Sequence, residues 1–103
     1  MNFGLSEKEL EEIISVFQRF PGIKKVMVFG SRAMGCHQKR SDVDMALQGD
    51  ITFDVVVRVK SVLEQETRLP YFFDIVDYDS ITNPDLKKHI DEQGKVLFKQ
   101  GRV

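Results

Sequence analysis

Lys24-Lys25-Val26-Met27-Val28-Phe29-Gly30-Ser31 leads through a polar loop into Ser41-Asp42-Val43-Asp44-Met45-Ala46-Leu47, and the fold turns on how these two stretches are read. The first predicts a buried strand, Lys24 to Phe29, that breaks abruptly at Gly30-Ser31. Arg32-Ala33-Met34 has room for one helical turn before Gly35, and the mostly polar run Cys36 to Ser41 predicts a loop. The second stretch alternates with period two. Asp42, Asp44 and Ala46 therefore share one face of a strand, and Val43, Met45 and Leu47 share the other. Two like charges on one strand face are disfavoured by propensity and by repulsion, so something must compensate for them.

Working outward, Ser6 with Glu9 three positions on reads as a capping box, and Leu10, Ile13, Ile14, Phe17 and Phe20 follow at helical spacing. A helix from about 6 to 20, stopped by Pro21-Gly22, is expected. Phe53 to Arg68 is ambiguous, since its Val-rich first half favours a strand and Lys60 to Arg68 favours a helix. Sixteen residues are too many for an ordinary strand, which predicts a helix ended by Pro70. Tyr71 to Val76 predicts a third strand with Asp74 in its middle. Asn83-Pro84-Asp85 opens a last helix, with Pro84 at the tolerated first position, that runs to Gly94; Val96-Leu97-Phe98 predicts a short final strand. This order of elements implies a two-layer α/β domain: a small mixed sheet with helices on one face and the other face open.

A chain of 103 residues implies one domain, 1–103, and 42% hydrophobic with 30% charged residues excludes a disordered chain or a coiled coil. No apolar run approaches the 18 or so residues of a membrane span, and the N-terminus lacks a basic region leading into an apolar segment. A cytoplasmic protein is expected. Cys36 is the only cysteine, which rules out an intrachain disulfide and thiol-rich metal sites. Fifteen basic against sixteen acidic residues leave a net charge of -1, so no general nucleic-acid or membrane binder is indicated.

Asp74, on a strand that can lie beside Asp42 and Asp44, would bring a third carboxylate to the open face. Three such groups form a hard oxygen site of the kind Mg²⁺ prefers. Upstream, Gly30 allows close backbone approach, and free N–H groups at the start of a helical turn favour phosphate. A phosphate cradle thus precedes a metal-binding pair. The other polar residues read more blandly: Asp77 has the opposite strand parity and reads with Asp79 as a surface turn, Lys39 and Arg40 as a solvated loop, and His37 and His89 as surface histidines. Tyr71-Phe72-Phe73 reads as core, except that Phe72 shares parity with Asp74, where a nucleotide base or a partner would bury it.

Gly30-Ser31, ten residues, then Asp42-x-Asp44 resembles the signature of the nucleotidyltransferase superfamily related to DNA polymerase beta. The fuller run Gly30 to Gly35 with Ser41 to Asp44 resembles its minimal nucleotidyltransferase (MNT) branch. Phe73-Asp74-Ile75-Val76 is similar to the third-carboxylate strand and Gly94-Lys95-Val96-Leu97-Phe98 to the usual ending, so the resemblance spans almost the whole chain. It implies Mg²⁺-dependent transfer of a nucleoside monophosphate, AMP from ATP by analogy, to a hydroxyl with release of pyrophosphate. In that scheme Asp42, Asp44 and Asp74 are the catalytic residues and bind two Mg²⁺ ions, while Gly30, Ser31 and Arg32 hold the triphosphate. It also implies a helical HEPN-domain partner, in a toxin–antitoxin pair whose antitoxin adenylylates the toxin. Two alternatives stay open: a non-catalytic nucleotide-binding module that neutralises its partner by occlusion, and a small-molecule nucleotidyltransferase of the antibiotic-modifying type.

Overall fold

A computed structural model describes residues 2–100. The elements are α1 (Glu7–Phe17), β1 (Ile23–Phe29), α2 (Ser31–Met34), β2 (Val43–Gly49), α3 (Phe53–Ser61), β3 (Phe73–Asp77), α4 (Pro84–Gln93) and β4 (Lys95–Lys99). The four strands form one mixed sheet in the order β3-β2-β1-β4. β1 runs antiparallel to β2 and β4, whereas β2 and β3 are parallel and are joined by the α3 crossover that parallel strands require.

The capping signals act as expected. The Ser6 hydroxyl accepts the Glu9 N–H at 3.1 Å, and the Glu9 carboxylate accepts the Ser6 N–H at 2.9 Å. α1 stops at Phe17, short of the expected 20, because Arg19 and Phe20 donate to carbonyls only three residues back and tighten the chain into a turn. The Val-rich segment is helical: Thr52 caps it by accepting the Val55 N–H, and a wider π-type turn, Val62–Glu66, continues it. Local strand propensity yields here to the cap and to the burial of Val59, Val62 and Leu63.

Alternation along the strands divides the interior. Val26, Val28, Val43, Met45, Leu47, Phe73 and Ile75 face α1 and α3, where Ile13, Val16 and Phe17 complete the main core. The second face carries Met27, Phe29, Asp44, Ala46, Asp74 and Val76. On it α4 lays Ile90, fully buried, against Phe29 and Ala46, with Leu86 beside them. Helices thus cover one face completely, and α4 covers part of the other because Met27 and Phe29 present apolar surface there. Truncating Ile90 to alanine would cost about 2–5 kcal/mol and loosen α4 from the sheet. The part of that face bearing the aspartates stays open. Among the described residues no helix is long and apolar enough to cross a membrane.

Candidate active site

β1 delivers the chain to Gly30, which has φ 74° and ψ −154°, a conformation open essentially to glycine alone. A Cβ at this position would stand 2.2 Å from Asp44 Oδ2, so the Gly30 backbone lies directly against that carboxylate. α2 then makes its single turn and is closed by Gly35 in the left-handed region at φ 78°.

Asp42 lies at the last position before β2, exposed, and Asp44 follows two residues on with its side chain on the same face. Asp44 pairs with Phe29 of β1 on one side and with Asp74 of β3 on the other. Adjacent strands are about 4.8 Å apart, so the carboxylates of Asp44 and Asp74 rise side by side from the open face. The electrostatics agree with this crowding. Asp44 is pushed up to about 6, first by partial burial and then by the negative charges of Asp74 and Asp42, with the Arg32 guanidinium opposing the rise.

Among the described residues, no three His, Cys, Asp or Glu side chains are gathered tightly enough to cage a metal ion by themselves. Mg²⁺ rarely uses such a cage; it takes one or two carboxylates and completes its shell with water and substrate phosphate. A carboxylate pair that makes no salt bridge among the described residues, next to backbone that approaches closely, fits a metal–nucleotide complex.

Arg32 belongs elsewhere. The resemblance implies a place at the triphosphate, but the side chain is 1% exposed and its donors end on backbone carbonyls. It reaches Phe3 O at 2.8 Å, Ser41 O at 2.9 and 3.2 Å, and Lys39 O at 3.3 Å, with its guanidinium 4.8 Å from the centre of the Tyr71 ring. Loop carbonyls without a strand partner need donors, and a buried guanidinium supplies several at once. Arg32 thus braces the loop that leads into Asp42, while its charge still lowers the pKa of Asp44.

His89 is not a surface histidine. Its Nε2 accepts the Gly30 N–H at 2.9 Å, and the ring stands edge-on to Phe29 with centroids 6.0 Å apart. Its spacing from Leu86 and Ile90 places it beside the apolar stripe of α4, which was the available sign. His37 is also drawn inward: a Cβ on Gly4 would meet its Nε2 at 2.1 Å. Phe72 is 73% exposed, and its carbonyl accepts the Val43 N–H, which puts an open aromatic ring next to Asp42. Asp77 holds a turn by accepting the Asp79 N–H and the Ser80 hydroxyl. Lys39, Arg40 and Cys36 are exposed in the loop.

Residues 11–102 match the family model described as polymerase beta, nucleotidyltransferase. A Methanocaldococcus jannaschii protein that carries the name of a protein adenylyltransferase is 29% identical over 100 residues, covering 89% of this chain and 97% of its own. Among solved structures, a chain from a toxin–antitoxin crystallised with AMP-PNP superposes with a TM-score of 0.70 at 22% identity, covering 93% of this chain and 75% of that one. A chain from the complex of the tri-AMPylated Shewanella oneidensis HEPN toxin with MNT antitoxin gives a TM-score of 0.69 at 20% identity, covering 93% and 74%.

Proposed function

Because the chain belongs to the polymerase beta nucleotidyltransferase family, we propose that it transfers AMP from ATP to a hydroxyl on a partner protein, as the antitoxin of a pair with a helical HEPN-domain toxin. The observation that carries the reading is the register that sets Gly30, Asp44 and Asp74 against one another on an open sheet face. It is supported by likeness, over nearly its whole length, to the M. jannaschii protein that carries the name of a protein adenylyltransferase, and by the shared fold with chains from the AMP-PNP and AMPylated-toxin structures.

The Gly30–Ser31 turn would hold phosphate oxygens through the backbone N–H and the hydroxyl of Ser31, with Gly30 letting the phosphate come close. Asp42 and Asp44 would hold both Mg²⁺ ions, and Asp74 would complete the hold on the acceptor-side ion. Bound there, Mg²⁺ supplies Lewis-acid activation of the acceptor hydroxyl and neutralises charge on the triphosphate. The acceptor oxygen bonds to the α-phosphorus, the bond from that phosphorus to the bridging oxygen breaks, and pyrophosphate leaves. Asp74 would receive the hydroxyl proton. The exposure of Asp42, Asp74 and Phe72 leaves this corner accessible to a side chain carried by another protein. One domain, 1–103, would perform the whole reaction.

The test is to incubate the chain with Mg²⁺, ATP labelled at the α-phosphate, and the partner that co-purifies with it from the source cells. Label on the partner supports the reading. A partner that is neutralised without label would replace transfer by occlusion, and label on an added aminoglycoside alone would replace the protein acceptor by a small molecule.

A further inference from the structure

The ladder of β1 with β2 ends at Phe29, so the N–H of Gly30 leaves the sheet without a strand partner. The acceptor it finds is His89 Nε2, 59 residues further along the chain, at 2.9 Å. Accepting at Nε2 leaves the ring proton on Nδ1. Two neighbours fix the ring: Phe29, whose plane it meets at 77°, and Ile90, whose full burial anchors the next residue of α4.

We infer that His89 is a positioning residue for the nucleotide: by holding the Gly30 N–H it presets the peptide plane from which the Gly30–Ser31 turn is built. Glycine has the widest backbone freedom of any residue, and a turn that must be ordered when the nucleotide arrives binds it more weakly. The inference rests on the proposed function, since it takes this turn to be the seat of the triphosphate.

The experiment compares His89→Leu, which fills similar space against Phe29 without an acceptor, with His89→Gln, whose side-chain oxygen can still reach the Gly30 N–H. Fixing one backbone residue corresponds to about a tenfold change in affinity. For His89→Leu the Kd and the KM for ATP with Mg²⁺ should therefore rise about tenfold while kcat stays within about twofold, the pattern of lost uniform binding. His89→Gln should recover most of the loss. In the nucleotide-free protein, the Gly30 amide resonance should shift in His89→Leu and stay close to the wild-type position in His89→Gln.

Equal ATP affinity in wild type and His89→Leu, or equal losses in both variants, would overturn the inference, because the acceptor would then be irrelevant. An unchanged Gly30 resonance in His89→Leu would overturn it too. If wild type binds no ATP at all, the proposed function falls and this inference with it, whereas normal ATP binding with an insensitive His89 removes only the inference.

Discussion

Asp44 and Asp74 are register partners on adjacent parallel strands, with Phe29 opposite Asp44 on its other side. Like charges side by side on one sheet face destabilise the sheet, so the pair opposes the fold that carries it. A bound cation would turn that repulsion into a grip. Losing the general base should lower the rate about 10²–10⁴-fold in Asp74→Asn. Asp44→Asn should lose at least as much, because the ligand set and its charge go together. Asp77→Asn should transfer at close to the wild-type rate, since Asp77 only holds a turn. Rates of label transfer check all three, and an active Asp74→Asn beside a dead Asp77→Asn would reassign the third carboxylate.

The raised pKa of Asp44 gives a second prediction, about stability in the absence of metal. The folded state holds this proton up to about pH 6, whereas the ordinary value is 3.8. Folded protein therefore binds more protons than unfolded protein between those values, and stability falls as pH rises through the window. The contribution is fully present below it and lost above it. In chelator at about pH 7.5, Asp44→Asn should melt above wild type, and the difference should close as the pH approaches about 4. Adding Mg²⁺ with ATP should raise the wild-type melting temperature and leave that of the variant nearly unchanged. An Asp44→Asn protein that melts well below wild type at pH 7.5 would mark Asp44 as a structural residue.

Gly30→Ala combines two penalties. The backbone sits at φ 74°, and the new methyl would collide with Asp44 Oδ2 at 2.2 Å. Holding a non-glycine residue there costs about 1–3 kcal/mol, equivalent to roughly 4–24 °C in melting temperature for a domain this small. The carboxylate must also move, so transfer should fall about as far as in Asp44→Asn even at temperatures where the variant is folded. Melting curves and transfer rates on the same sample check this; a folded Gly30→Ala with wild-type activity would show that the Gly30–Asp44 contact has no part in the reaction.

The strands, the capping box at Ser6 and the Asn83-Pro84 helix start could be read in advance because each is written in residues close together in the chain. The two aspartates on one face of β2 were legible for the same reason, since parity needs only local sequence. What stayed hidden is tertiary. The stripe of Leu86, His89 and Ile90 shows that α4 has an apolar side but not which sheet face it covers, and so His89 looked like a surface residue. Arg32 misled differently: a cation beside a phosphate-type turn suggests a ligand, and nothing in the sequence reveals that the carbonyls of Phe3, Lys39 and Ser41 converge on it. The need of a loop backbone for donors is a property of the folded chain.

Arg32 supplies the last prediction, which separates a brace from a triphosphate ligand. Its guanidinium makes four hydrogen bonds to three backbone carbonyls and lies over the Tyr71 ring, all with 1% of the residue exposed. Arg32→Ala strips the donor from the buried Phe3 carbonyl, at about 1–3 kcal/mol for a group left buried and unpaired, and from the part-buried Lys39 and Ser41 carbonyls, and it empties the space over the Tyr71 ring. Against a total stability of about 5–15 kcal/mol, the nucleotide-free variant should melt far below wild type. Arg32→Lys should help little, because a single ammonium cannot reach Phe3 O and Ser41 O together in the forked geometry of a guanidinium. Ser41 immediately precedes Asp42, so the residual activity of folded Arg32→Lys should show a lower kcat, from a misplaced carboxylate, with the KM for ATP changed less. A triphosphate ligand predicts the reverse: an unchanged melting temperature without nucleotide and a raised KM. Melting curves of the nucleotide-free protein, followed by kinetics well below the midpoint, distinguish the two, and the second pattern would return Arg32 to the phosphates.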